Sequence, residues 1–348
     1  MTRRRFGWRY LVPASCLASF AAACAAGTPP ETGLDSSTTN TAARDEADVL
    51  LLNGMPNGAW ESTYEPLAAG PVLIRGGTVL TAAGEEIEGG DVLLIGGRIE
   101  AVGIGLDAPQ DASIIDAVGR FVTPGIIDSH SHLGVYPSPG VEGMGEGNEA
   151  TNPVTAEVWA EHGVWPQDPG FSRALAGGVT SLQVLPGSAN LIGGRGVTLK
   201  NVPSTSYQGM KFPDAPHGLK MACGENPKRV YGDRKQKPST RMGNVAGYRA
   251  QWIEARQYLQ DIQDYENSKK DRRSDKNDNN TPPKRDLRLD TLAGVLKGEI
   301  LVHMHCYRAD EMLTILDMAD EFGYRVSAFH HGVEAYKVAD ELAANGVC

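Results

Sequence analysis

Six of the eight histidines fall into three tight pairs, His130 with His132, His303 with His305, and His330 with His331. Each pair closes a short apolar run, and Lys220 lies inside a fourth run, residues 218–223. Side chains alternate across a strand, so an H-x-H pair presents both imidazoles to one side. Neutral imidazole is a good ligand for zinc and similar divalent ions. One such pair decides nothing. Three pairs and a lysine at the ends of successive strands favour a metal site, because in a (β/α) barrel the C-terminal strand ends converge on one face. His162 and His217 lack that setting and read as ordinary surface or loop residues.

The elements that must carry these groups alternate in type. Strands are expected at residues 126–132, 179–185, 197–202, 218–223, 299–305 and 324–331. Helices are expected at 309–322, through Met312, Ile315, Leu316 and Ala319, and at 334–345. This alternation predicts a parallel sheet with crossover helices, an α/β fold. Ahead of it, residues 71–122 hold short β-rich runs, with Gly96-Gly97 as a tight hairpin signal, and read as a small sheet domain. Residues 248–286 interrupt the pattern. The first part reads as an amphipathic helix over 248–265, and 266–286 contain no non-proline hydrophobic side chain, which predicts a surface loop.

Two glycine-bearing segments could approach a substrate. In residues 185–196, Asn190 and Arg195 are candidate contacts, although conformational roles explain the glycines equally well. The segment lacks the Gly-Lys-Ser/Thr ending of a P-loop. The polar turn at 224–229 carries Glu225.

Residues 72–102, followed by Gly119-Arg120-Phe121-Val122-Thr123-Pro124-Gly125-Ile126-Ile127-Asp128-Ser129-His130-Ser131-His132, resemble the opening of the amidohydrolase superfamily of metal-dependent hydrolases. The imidazolonepropionase-like and prolidase-like members are the most similar. The resemblance runs from about residue 71 to the end, apart from the 248–286 excursion, and the later histidines follow the family's order. It implies a (β/α)8 TIM-barrel-type domain with a small β-sandwich portion. Here the barrel is incomplete, with about six βα units over 124–348 and the sandwich portion over 71–123.

The resemblance also implies one or two divalent metal ions, with zinc expected. His130 and His132 would hold the more buried ion, and His305 and His331 the second. Lys220 falls where binuclear members place a carboxylated lysine, with Glu225 the competing bridge. A free ammonium cannot bind a cation, whereas the carbamate formed with carbon dioxide is an anion that can. His303 would contact substrate or support a ligand, and His330 is expected to face away from the pocket. The reaction implied is hydrolysis of a non-peptide or small peptide-like C–N bond, in a small molecule, by metal-activated water. The family's proton-transferring aspartate follows the eighth strand. Only six strands are found before Cys348, and Asp310, Asp317 and Asp320 precede the sixth, so no catalytic base is assigned. The expectation is a chain cut from a longer reading frame and poorly active by itself.

The N-terminus reads as an address. Arg3, Arg4, Arg5 and Arg9 precede a short apolar stretch ending in Phe20-Ala21-Ala22-Ala23-Cys24, which resembles a lipoprotein signal over 1–24. The run 2–6 also resembles a twin-arginine signal. A Thr-, Ser- and Pro-rich tether over 25–70 follows. Export to the periplasm or cell envelope is expected, with contact to the membrane only through a lipid on Cys24 and homo-oligomerisation left open. The net charge of −10 disfavours nucleic acid as a partner. Cys223, Cys306 and Cys348 offer no tidy pairing. Two other readings stay open, a non-catalytic metal-binding protein and a periplasmic solute-binding lipoprotein.

Overall fold

Alternating apolar residues and paired glycines build the first sheet. In β1 (Val72–Leu80), Leu73 and Val79 are buried, and in β2 (Glu86–Ile95), Val92 and Leu93 are. β3 (Arg98–Gly103) returns from β2 through Gly96 and Gly97 at φ 59° and 75°, the left-handed pair that a two-residue hairpin turn requires. β4 (Ser113–Asp116) and β5 (Phe121–Val122) then pair parallel with β1, giving the order β3-β2-β1-β4 with β5 also on β1. These are features of a computed structural model that describes residues 59–271 and 281–348. The signal and most of the tether lie outside the described residues. Among the described residues, no helix is long and apolar enough to cross a membrane.

The second sheet has six strands in sequence order: β6 (Ile126–Ser131), β7 (Val179–Val184), β8 (Ile192–Lys200), β9 (His217–Ala222), β10 (Ile300–His305) and β11 (Val326–His330). Helix α1 (Pro169–Ala176) lies between β6 and β7, which are parallel. Helices α2 (Glu225–Asp233), α3 (Arg241–Asp271) and α4 (Leu287–Leu296) lie between β9 and β10, and α5 (Ala309–Phe322) between β10 and β11. Both of these strand pairs are parallel too. β8 is the exception to the expected parallel order, running antiparallel to both neighbours. Its connection from β7, residues 185–191, is too short for a crossover, which takes a dozen or more residues. β8 also starts at Ile192, so half of the expected glycine-rich loop is strand. The fold is mixed α/β with a curled half-barrel sheet.

Strand alternation divides the sheet into two faces. Leu219, Met221, Val302, Met304 and Val326 join a core with Trp252 of α3, Leu292 of α4 and Met312 and Phe322 of α5. A smaller core sets Phe171 of α1 against Leu182, Val184, Val197 and Leu199. Gly218, Lys220 and His303 must therefore point to the opposite face. Helix α3 is longer than the expected 248–265. It continues to Asp271, and Glu266 in this part favours helix without needing an apolar partner. Residues 272–280 of the expected loop lie outside the described residues.

Cys223 and Cys306 form a disulfide with Cα atoms 5.2 Å apart, where no tidy pairing was expected, and Cys348 is exposed outside it. The bond closes a sequence separation of 83 residues. On the chain-entropy account, a loop of that size contributes about 4.5 kcal/mol.

Candidate functional site

At the C-terminal end of β6, the Nε2 atoms of His130 and His132 stand 3.3 Å apart. Two nitrogens on a tetrahedral zinc, at roughly 2.05 Å each, would be roughly 3.4 Å apart. His132 is oriented by its other nitrogen, Nδ1, which donates to the Leu185 carbonyl at 2.8 Å. That hydrogen bond places the proton on Nδ1 and leaves the Nε2 lone pair available. His130 Nδ1 is buried without a hydrogen-bond partner among the described residues. The backbone N–H of His130 is held by Asp128 Oδ1.

The other pairs converge on the same place. The His130 ring lies 4.5 Å from His330 and 4.7 Å from His331, centroid to centroid, and His331 lies 4.9 Å from His305. His305 is 2% exposed, and among the described residues neither of its ring nitrogens has a hydrogen-bond partner. His303 uses both nitrogens, Nδ1 with His330 Nε2 at 2.9 Å and Nε2 with the Gln183 amide at 3.2 Å. Its ring lies so close over Gly218 that a Cβ there would sit 2.7 Å from His303 Cδ2.

The expectation that His330 faces away is corrected here. Its register partner is His305, so it shares the face of His305. His331 also turns toward the cluster because alternation stops at that residue, which has φ 59°. A non-glycine side chain in this left-handed region is strained, and such strain is often stored at functional sites. Two adjacent residues thus present their rings to one cluster.

Lys220 is fully buried, and its Nζ donates to the Pro186 carbonyl at 2.9 Å and to Ser188 Oγ at 3.1 Å. Burial pulls its pKa down to about 7. A substantial fraction is therefore uncharged amine near neutral pH, the form that can add to carbon dioxide. Burial, followed by the nearby Lys220, brings His303 to about 4 and His305 to about 3. Burial, then Lys220 and the neighbouring imidazoles, brings His130 to about 2. Neutral imidazoles are the ligand form. The donor set fits a divalent ion in kind. As they stand, no three His, Cys, Asp or Glu side chains among the described residues come together closely enough to hold one ion.

Three expected substrate contacts are placed elsewhere. Arg195 pairs in register with Leu219 and so faces the helices. It is 1% exposed, donates from Nε to Thr291 Oγ1, and stacks on Trp159. Asn190 is buried, donating to the Glu149 carbonyl and Thr155 Oγ1 and accepting from Tyr231 OH, so it ties down its own loop. Glu225 is exposed as the first residue of α2. His217 is also corrected. It is buried at the start of β9 with its ring edge on Trp159, while His162 stacks on the same indole.

Sequence reading missed two tyrosines. Tyr136 lies 5.5 Å from His132, and Tyr307 lies 4.5 Å from His305, centroid to centroid. Each follows its histidine by a few residues, a spacing that could have drawn attention. A cavity of about 390 Å³, lined by Glu146, Glu157, Trp159 and His162 among others, reaches the cluster's edge at Pro186. None of the paired histidines lines it.

The buried histidines make a prediction about pH. His217, His303 and His305, brought to about 3, 4 and 3, stay neutral in the fold but take a proton near pH 6.5 when unfolded. The stability that these three contribute is therefore fully present above pH 6.5 and falls as the pH drops toward 4. Each can cost up to about 1.4 kcal/mol per pH unit, and the three together up to roughly 4 kcal/mol per pH unit. Urea unfolding of metal-free protein between pH 7.5 and 5 should show a steep drop in midpoint; a flat profile would contradict these placements.

No family model matches the chain. The amidohydrolase tasK of Hapsidospora irregularis is 36% identical over 300 residues, 78% of this chain and 30% of that protein. A dihydroorotase of Geotalea daltonii is 46% identical over 71 residues, 20% of this chain and 16% of that protein. The chain thus spans under a third of the length of these curated relatives. The crystal structure of an amidohydrolase from Thermotoga maritima MSB8 is 40% identical with TM-score 0.69, covering 78% of this chain and 67% of that one.

Proposed function

The chain belongs to the amidohydrolase superfamily, and on that footing we propose that it serves the metal-dependent hydrolysis of a non-peptide or small peptide-like C–N bond in a small molecule. The observation that carries this reading is the His130–His132 pair, with Nε2 atoms 3.3 Å apart, beside buried Lys220 and the His305 and His331 rings. His130 and His132 would hold one divalent ion, zinc by ligand type, and His305 and His331 a second. A bound ion of this kind acidifies water and polarises a carbonyl.

The chain's own residues do the rest. Leu185 fixes the His132 tautomer, and Gln183 and His330 fix the His303 ring. His303 and Tyr136 border the site where a substrate would rest. Lys220, once carboxylated, would supply the bridging anion, a role for which its burial on the histidine face suits it better than exposed Glu225. We place the protein outside the cytoplasm. The Cys223–Cys306 disulfide supports this, since such bonds persist in oxidising compartments.

The test is an assay of purified chain, loaded with zinc, on cyclic imides, ureas, amides and dipeptides. The reading predicts zinc retention and slow hydrolysis of a C–N bond that stops on chelation and returns with zinc. Retention of no zinc, together with no chelator-sensitive turnover on any of them, would overturn it.

A further inference from the structure

The ladder between β9 and β10 ends at the pair Ala222–His305, with Met221–Met304 and Lys220–His303 before it. The next two residues in register are Cys223 and Cys306, and they are covalently joined. Beyond them the chains part, one into α2 and the other into the approach to α5. The disulfide thus takes over at the step where the hydrogen-bonded ladder stops. Strand ends of this kind are where local fraying begins.

What the bond sits behind is specific. Cys223 and Cys306 belong to the helix-side core, so they stand back to back with Lys220 and His305 across the sheet. The Cys223 N–H donates to the His305 carbonyl at 2.8 Å, and the Cys306 N–H donates to the His330 carbonyl at 3.1 Å. One cross-link therefore reaches the ends of β9, β10 and β11. Helix α3 braces the same point, since Tyr248 OH donates to the Ala222 carbonyl and Asn244 Nδ2 to the Gly224 carbonyl. His305 depends on this support, because its ring nitrogens make no hydrogen bond among the described residues that could hold it.

We propose that the Cys223–Cys306 disulfide is a positioning cross-link, holding the Lys220- and His305-bearing strand ends in register at the cluster. The inference rests on the proposed function for its purpose, and its geometry can be tested without metal. Mass mapping under non-reducing conditions must first find the two cysteines linked; a free pair overturns the proposal. The full chain is then compared with Cys223→Ala/Cys306→Ala by hydrogen exchange, both metal-free. Amides of residues 220–223 and 304–306 should exchange at least about tenfold faster in the variant, while those of β7 and β8 change little. Unchanged strand ends, or an equal acceleration everywhere, would show no positioning role. Should the variant not fold, folded wild-type protein before and after reduction gives the same comparison.

Zinc binding provides the second readout, with affinity expected to fall about 10–100-fold, as for other groups that support ligands. Unchanged zinc affinity in the variant would also count against positioning. Wild-type protein that binds no zinc would instead sink the hydrolase reading, with the exchange experiment still deciding the cross-link.

Discussion

Substituting His130→Asn and His132→Asn together is expected to raise the zinc dissociation constant by at least about 10³-fold. Removing both nitrogens of the 3.3 Å pair takes away the best-prepared ligands on the molecule. His132 is already oriented by Leu185, so binding has little ordering cost to meet there. The metal-free fold should survive. Both side chains sit at a strand end, partly exposed, and outside the two apolar cores. Competition with a chromophoric chelator gives the affinity, and circular dichroism confirms the fold. A double variant that binds zinc as tightly as the parent would remove these residues from the site.

Lys220→Met should have opposite effects on metal and on stability. Lys220 is fully buried, with a pKa brought to about 7, so near neutral pH the fold bears much of the cost of desolvating its charge. Methionine fills similar space without that cost but leaves the Pro186 carbonyl and Ser188 hydroxyl without their donor. The balance is a gain of roughly 1–3 kcal/mol, after allowing for those two lost hydrogen bonds. The sign depends on pH. The folded pKa lies below the unfolded one, so the lysine's penalty is full below about pH 7 and disappears as the pH rises toward 10.5. The advantage of methionine should shrink across the same range. Metal retention should fall, because no carbamate can form. A variant less stable than the parent at pH 7 would mean that Lys220 holds the fold together through its two hydrogen bonds.

Much of this arrangement was legible in the sequence because it follows from alternation and spacing. The expected strands over 126–132, 179–185, 218–223, 299–305 and 324–331 correspond to β6, β7, β9, β10 and β11. Alternation also explains why His303 and His305 share a face. What was not legible depends on contacts distant in sequence or on local breaks in regularity. The direction of β8 depends on how short residues 185–191 are in three dimensions. Arg195 looked like a loop residue because glycines surround it, yet those glycines lie in a strand whose register with Leu219 turns the guanidinium toward α4. His330 looked outward by simple alternation counted from His331, and the φ of 59° at His331 defeats that count. Cys223 and Cys306 are 83 residues apart, and only the register of β9 with β10 makes them neighbours.

The most direct measurement is the anomalous difference density of zinc-loaded crystals of the chain, recorded at the zinc absorption edge. A peak is expected within bonding distance of both His130 Nε2 and His132 Nε2, with any second peak beside His305 and His331. Zinc found only at other residues, or none at the histidine cluster under saturating zinc, would contradict it.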